Sequence, residues 1–469
     1  MEFVGKRILV LGLGRSGLAP AKWLATQGAD VTVSDVKEEQ ALDQGMVREV
    51  RDLGVSLETG GHREQSFLDA QLIVVSPGVP LDIPPLAKAR KAGVPVLGEL
   101  ELAGRLVDVP ILAVTGTNGK STVTAFLAAL LERAGRRVFL GGNIGTPLME
   151  YLFRKGRADV AVVEVSSFQL DSMERFSPHL SMLLNITPDH LDRYRDYEDY
   201  IFSKLRIFQN QGPGQIAILN DDDERLCRVD PAGGVSVLRY GIEEKEGRHA
   251  FFAGNRIRAF IPEGQEGPEG PKGAGGPGRR FHDFGITGFR LPGLHNLSNL
   301  LGVVLAGLAM EVDPKIIQQA IDGFEGLPHR IQHIQRIGGV DFYDDSKATN
   351  VDAAARSVSS FDRPVILIAG GRDKGGDYGP LVAAARARIR KAIFLGESKE
   401  LLGKSFHGVI PFQTAADMTE AVSEAFAAAR AGDAVLLAPA CSSFDMFEDY
   451  VHRGMAFQAA VRGLENERH

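Results

Sequence analysis

The chain has 469 residues, 44% of them hydrophobic and 24% charged, with 60 acidic against 53 basic side chains and a formal charge of −7. That length predicts about three domains, and the acidic balance excludes a general nucleic-acid binder, which carries a basic excess. Cys227 and Cys441 make neither a disulfide framework nor a zinc pattern, no apolar run approaches the ~20 residues that span a bilayer, and MEFVGKRILVLG lacks the regions of a signal peptide, so the expectation is a cytoplasmic protein with no membrane partner.

Short β-branched runs alternate with helical patterns almost throughout, the mark of parallel-sheet α/β architecture. RILVLG reads as a strand, residues 16–27 as a helix and DVTVSD as the next strand. Between the first two, Gly12-Leu13-Gly14-Arg15-Ser16-Gly17 matches G-x-G-x-x-G, and Asp35 ends the following strand. Such a loop lets backbone approach a diphosphate at a helix N-terminus, in a dinucleotide or a UDP-sugar alike; a glycine-rich turn with no ligand is the plainer alternative. LIVVSPG at 72–78 is a further strand, and KAGVPVLGELEL closes this block near residue 96.

The second block opens on strand PILAVT and then Gly116-Thr117-Asn118-Gly119-Lys120-Ser121-Thr122. A P-loop has a glycine five positions before Gly-Lys-Ser, but Val114 stands there. The context is nonetheless strand, glycine turn and helix, and Val123, Phe126, Leu127, Leu130 and Leu131 share one helix face. Backbone N–H groups and the helix dipole suit phosphate oxygens, Lys120 suits the β and γ phosphates, and the Ser121 hydroxyl suits Mg²⁺. Strands ADVAVVEV, LSMLLNIT and QIAILN follow. Glu164 ends the first of these, where such sheets bind ligands, and its carboxylate suits Mg²⁺; a turn next to a helix cap is the simpler reading. His190 follows another strand end, in NITPDHLDRY at 185–194, and groups by topology with Glu164 and Lys120. Lys204 alone reads as an ordinary solvated lysine. Residues 263–280 are rich in Gly, Pro and Glu and predict a mobile loop.

The third block, from about 327, runs GGVDFYDD, a helix after Asn350, PVILIAGG, KAIFLG, a helix over 415–430, DAVLLAPA and a final helix. Gly293-Leu294-His295-Asn296-Leu297-Ser298-Asn299 leads into an apolar helix, where its asparagines serve equally as caps. Asp344-Asp345-Ser346-Lys347-Ala348-Thr349-Asn350 is denser polar chemistry than a cap needs.

Taken in order, GTNGKST, GGNIG (141–145), EVSSFQL (164–170), NITPDHLDRY, LPGLHNLSN, GLPHR (326–330), DDSKATN, AGGRDKG (369–375) and APACSSFDMF (438–447) resemble the Mur ligase family over nearly the whole chain. GTNGKST is that family's own phosphate loop. DSKATN and PACSSFDMF resemble its D-glutamate-adding branch; Asp344 stands where Asn is common there. The resemblance implies three domains: a Rossmann-like UDP-sugar-binding domain over 1–96, a central P-loop ATPase-like parallel-sheet domain over 97–326, and a Rossmann-like amino-acid-binding domain over 327–469. It implies a monomer that joins UDP-N-acetylmuramoyl-L-alanine to D-glutamate, using ATP, two Mg²⁺ ions and carbon dioxide held as a lysine carbamate. A sibling ligase with another amino acid, or a folylpolyglutamate synthase, is the alternative; the glycine loop of the first domain disfavours the folate reading.

By the same resemblance, Lys120, Glu164, His190 and Lys204 are catalytic, and Ser121, Glu164, His190 and Lys204 serve the metals, Lys204 as its carbamate. ATP would meet Gly116 through Thr122, with Asn296, Asn299, Arg330, Asp345 and Lys347. The UDP-sugar would meet Arg15, Ser16, Asp35, Gly78, Asn143, Ser166, Gln169 and His190, so the first glycine loop would hold uridine diphosphate rather than NAD. Thr349, Lys374, Ser443 and Phe444 would receive D-glutamate, and closure of the third domain is expected.

Overall fold

The structure is a computed structural model that describes residues 2–153, 158–189, 193–262, 281–291, 293–373, 375 and 377–466. The expected mobile loop at 263–280 lies outside these residues. The chain divides into two compact units, Met1–Gly288 with Ser298–Gly323, and Phe289–Leu297 with Phe324–His469.

The first unit holds two sheets. β1 (Arg7–Leu11), β2 (Asp30–Ser34), β3 (Ser56–Glu58), β4 (Leu72–Val75) and β5 (Val96–Gly98) form an all-parallel sheet in the order β3-β2-β1-β4-β5. The chain reverses direction across the sheet between β1 and β4, which puts the turns after both strands beside a common crevice.

The second sheet contains β6 (Ile111–Thr115), β7 (Val138–Gly142), β8 (Val160–Glu164), β9 (Leu180–Leu183), β10 (Ile216–Asn220), β11 (Ser236–Tyr240), β12 (Ala250–Ala253), β13 (Arg256–Ala259) and β14 (His282–Gly285). Its order is β14-β13-β12-β11-β10-β9-β6-β8-β7, parallel from β7 to β12 and antiparallel beyond. The antiparallel end was not anticipated, because its short strands alternate too weakly to read. β6, β8 and β10 are buried at every position, as strands covered on both faces must be. All five residues of the expected face of the helix Lys120–Arg133 are buried, including Val123, Leu127 and Leu130 at 0% exposure. One hydrophobic cluster runs through both sheets, from Val10, Val33 and Val74 to Ala113, Ala161 and Val163.

The second unit has one sheet: β15 (Gln332–Ile337), β16 (Val340–Asp344), β17 (Val365–Gly370), β18 (Ile389–Leu395), β19 (Phe412–Thr414) and β20 (Ala434–Leu437), ordered β15-β16-β20-β17-β18-β19. Among its described strands the β15–β16 pair is antiparallel and the other pairs are parallel. Along β17, Val365, Leu367 and Ala369 enter one core while Ile366 and Ile368 enter the other, which is the period-two alternation of a strand buried on both faces. Among the described residues no helix is long and apolar enough to cross a membrane.

Candidate functional site

The strand order places β6 between β8 and β9, so three loops rich in polar residues leave adjacent carboxyl ends. The first is the glycine loop. Gly119 caps the helix Lys120–Arg133 in a left-handed conformation, φ 84°, and a Cβ there would lie 2.8 Å from the Asn299 amide nitrogen. Glycine is therefore required both by the turn and by the close approach. The second loop braces the first. Thr117 N–H donates to the Asn185 carbonyl at 2.9 Å, Asn118 N–H donates to Asn185 Oδ1 at 2.8 Å, and Asn185 Nδ2 returns to the Asn118 carbonyl at 3.0 Å. Thr187 N–H donates to Thr117 Oγ1 at 3.0 Å, and the Tyr200 hydroxyl is 3.1 Å from the same oxygen. With its flanks held, the loop leads straight into a helix N-terminus, the kind of backbone site that favours anions.

Two lysines converge on this loop. Lys120 Nζ donates to the carbonyls of Gly116 and Thr117, both at 2.9 Å, and Lys204 Nζ donates to the Gly116 carbonyl at 2.8 Å. Lys204 is 1% exposed. Burial and the nearby Lys120 charge push its pKa well below the ordinary lysine value, against the pull of Asp189, Asp171 and Glu164.

Glu164, at the end of β8, is 3% exposed. Its Oε1 accepts from Asn143 Nδ2 at 2.7 Å, while its Oε2 is buried with no hydrogen-bond partner among the described residues. A buried carboxylate oxygen left without a donor suits a divalent cation, whose preferred ligand is such an oxygen. Among the described residues no group of three His, Cys, Asp or Glu side chains gathers closely enough to hold a metal, and His190 lies outside the described residues. Ser166 and Gln169, two of the expected UDP-sugar residues, form a capping box on the helix Ser167–Asp171, with Gln169 N–H on Ser166 Oγ at 3.3 Å and Ser166 N–H on Gln169 Oε1 at 3.0 Å. Ser121 is buried in the first turn of its helix, beside half-buried Thr122.

In the first sheet, Asp35 accepts from Leu13 N–H at 2.7 Å and Lys37 N–H at 2.9 Å, so it fixes the glycine loop to the end of β2. Gly17 has no room for a side chain: a Cβ would lie 1.8 Å from the Gly12 carbonyl oxygen. Arg15 and Gly78 are exposed and Ser16 is half-buried. Ser76 Oγ donates to the Gly12 carbonyl at 3.2 Å, joining the turn after β4 to the glycine loop.

In the second unit, the two adjacent aspartates have different surroundings. Asp344 accepts from Ser346 N–H at 2.9 Å and Gln458 Nε2 at 2.9 Å and meets His329 Nδ1 at 2.7 Å. Asp345 takes a hydrogen bond from Ser357 Oγ, and burial raises its pKa to about 7 against the nearby Arg330 charge. Lys347 Nζ lies 3.9 Å from the centre of the Tyr450 ring. Thr349 N–H donates to the Lys347 carbonyl at 2.8 Å, and Asn350 caps the helix Val351–Ser359. Asn296 is buried, with its N–H on the Gly293 carbonyl at 3.1 Å. AGGRDKG and APACSSFDMF meet in a short antiparallel bridge, Arg372 with Ser442. Ser443 is buried beside it and Phe444 is 65% exposed; Lys374 lies outside the described residues.

Several residues that hold these loops were not among those expected from the sequence. Asn185 and Thr187 lay inside a quoted motif, which was the available signal. Arg453 gave none. It is 1% exposed and ties three motifs together, with Nε on Ser346 Oγ at 3.0 Å, Nη2 on the Ser346 carbonyl at 3.0 Å and Nη1 on the Cys441 and Gly370 carbonyls at 3.1 and 3.5 Å.

Three family descriptions match this chain: Mur ligase MurD-like, N-terminal domain, over residues 6–98; Mur ligase middle domain over 114–307; and Mur ligase, glutamate ligase domain, over 329–441. A curated relative from Desulfosudis oleivorans, named UDP-N-acetylmuramoylalanine–D-glutamate ligase, is 44% identical over 469 residues, covering 100% of this chain and 99% of its own. One of the same name from Geotalea daltonii is 42% identical over 464 residues, covering 99% of each. Among solved structures, the MurF ligase of Thermotoga maritima in complex with ADP superposes with a TM-score of 0.59 at 15% identity, covering 98% of each chain, a likeness of fold.

Proposed function

The chain belongs to the Mur ligase family, and from that premise we propose that it is an ATP-dependent ligase that joins D-glutamate to UDP-N-acetylmuramoyl-L-alanine in peptidoglycan precursor synthesis. The observation that carries this reading is the whole-chain match to relatives that bear one ligase name. The chemistry is that of an acid made reactive. A carboxylate is a poor electrophile; transfer of the γ-phosphoryl group of ATP converts one of its oxygens into part of a leaving group and releases ADP. The D-glutamate amine attacks the acyl phosphate, loses a proton, and the tetrahedral intermediate expels phosphate to leave the amide.

Phosphoryl transfer needs positioning and charge neutralisation more than covalent help. The braced loop Gly116–Thr122 and the Lys120 ammonium are proposed to hold the ATP phosphates, with Asn299 beside the loop. Ser121, Glu164, His190 and carbamylated Lys204 would hold two Mg²⁺ ions, which when bound supply positive charge at the transferring phosphoryl group. The unpartnered Glu164 Oε2 supports this. So does the lowered Lys204 pKa, since the neutral amine is the form that adds to carbon dioxide, giving a carbamate anion and a proton. Asn296, Arg330, Asp345 and Lys347 are proposed for ATP, and Thr349, Lys374, Ser443 and Phe444 for D-glutamate. The UDP-sugar is assigned to Arg15, Ser16, Asp35, Gly78 and Asn143, with Ser166, Gln169 and His190. On the proposed division into 1–96, 97–326 and 327–469, the UDP-sugar residues belong to the first two domains, the ATP residues to the last two, and the D-glutamate residues to the third.

The test is phosphate release from ATP with UDP-N-acetylmuramoyl-L-alanine present, comparing D-glutamate with L-glutamate, L-alanine and diaminopimelate. Release with D-glutamate alone is expected. Release with another amino acid would keep the mechanism and overturn the acceptor.

A further inference from the structure

The turn after β4 is held from two sides. From the first sheet, Ser76 Oγ reaches the Gly12 carbonyl, and a Cβ on Gly12 would lie 3.2 Å from Val79 Cγ2. From the second sheet comes Arg193, at the end of the loop after β9. Its Nη2 donates to the Pro77 carbonyl at 3.0 Å and the Val79 carbonyl at 3.3 Å. Its guanidinium carbon lies 4.1 Å from the centre of the Phe168 ring, on the helix that follows Glu164.

Arg193 is also anchored from behind. The ring of its neighbour Tyr194 stacks with Phe168 at 6.1 Å, and the Tyr194 hydroxyl donates to Asp171 Oδ2 at 2.9 Å and lies 3.3 Å from Ser203 Oγ. Ser203 directly precedes Lys204 on the same helix. The pair Arg193–Tyr194 thus spans from the turn that carries Gly78 to the helix that carries Lys204.

We propose that Arg193 is a positioning residue for the UDP-sugar substrate, acting through the Pro77–Val79 turn; this rests on the assignment of the first domain to that substrate. In a trans peptide the carbonyl and the following N–H point in opposite directions. A cation that holds the Pro77 carbonyl therefore aims the Gly78 N–H away from itself, toward the ligand side of the turn. The charged donor makes each carbonyl contact stronger than a neutral one, and the Phe168 ring face keeps the guanidinium plane in place. Lysine cannot copy this, because an ammonium lacks the planar face that stacks on the ring.

The experiment is steady-state kinetics on Arg193→Ala and Arg193→Lys with all three substrates varied, alongside thermal melting. Arg195→Ala is the control, since Arg195 is strongly exposed and pairs only locally, with Asp199 in the first turn of the helix Tyr197–Leu205. Arg193→Ala is expected to raise KM for UDP-N-acetylmuramoyl-L-alanine by about tenfold, with kcat and KM for ATP changed less than about twofold, the pattern of lost uniform binding. Arg193→Lys should raise that KM by about threefold at an unchanged melting temperature, which keeps the test decisive where the alanine variant folds poorly. An active wild type with an unchanged KM in both variants overturns this inference alone. A parallel rise of all three KM values with a lowered melting temperature also overturns it, as the mark of a purely structural role. A wild type that releases no phosphate with this substrate overturns the underlying assignment and the inference together.

Discussion

Lys120 and Lys204 donate to the same carbonyl oxygen, that of Gly116, from 2.9 and 2.8 Å. Burial first, and the repulsion of the neighbouring Lys120 ammonium second, make Lys204 lose its proton more readily. A neutral amine next to a fixed cation is suited to carbamylation, because the resulting anion is then paired with Lys120. Mass spectrometry of the native protein in bicarbonate should find an added mass of one carbon dioxide on Lys204, absent after acid. Lys204→Ala should lower kcat by about 100-fold or more, the scale on which loss of one charge-stabilising group is felt.

Gly119→Ala should damage nucleotide binding before anything else. The left-handed φ costs a non-glycine residue roughly 1–2 kcal/mol, and the new methyl would press on Asn299. The expected outcome is an ATP KM raised by about tenfold or more, with UDP-sugar binding unchanged by calorimetry. An unchanged ATP KM would show that nucleotide binding does not depend on this turn.

Glu164→Gln keeps the shape that meets Asn143 and removes the charge. Activity should become strongly dependent on Mg²⁺ concentration, with the half-saturating level raised about 10- to 100-fold. Titration of Mg²⁺ against phosphate release reads this directly, and an unchanged half-saturation would remove Glu164 from the metal set.

Glu99 offers a test of stability rather than activity. It is 1% exposed, one oxygen accepts from Met149 N–H at 2.8 Å, the other has no hydrogen-bond partner among the described residues, and burial raises its pKa to about 7. A carboxyl raised in the folded state holds its proton there while the unfolded chain releases it. Its contribution to stability is therefore fully present below the unfolded value and is lost as pH rises through about 7. Urea denaturation should show wild type losing up to about 3 kcal/mol relative to Glu99→Gln between pH 4.5 and 8. Parallel pH profiles for the two proteins would refute it.

Much of this was legible in the order of residues, and the rest was not, for reasons of distance along the chain. The buried strands declared themselves because a strand covered on both faces must be apolar throughout, as in VAVVE and VILIAG. The face of the helix Lys120–Arg133 followed from its period. Long-range hydrogen bonds leave no such pattern. Asn185 braces Asn118 across 67 residues, and Arg193 reaches Pro77 across 116. Lys204 looked like any surface lysine, since nothing in IFSKLRIF says that its nitrogen turns inward to Gly116. Ser166 and Gln169 carry a local signature, that of a cap, which the structure shows in full.

The guanidinium of Arg453 fixes where this chain tolerates being cut. It gathers Ser346, Gly370 and Cys441 from a helix that runs Tyr450–Asn466. Fusion of a tag after residue 466 leaves each of these bonds intact. A stop codon placed between 442 and 453 removes the clasp and releases three loops at once, each with a carbonyl already turned toward a cation that is no longer made. The first turn of this helix is thus as intolerant of truncation as the middle of the chain, and a screen of nested deletions would find its boundary there.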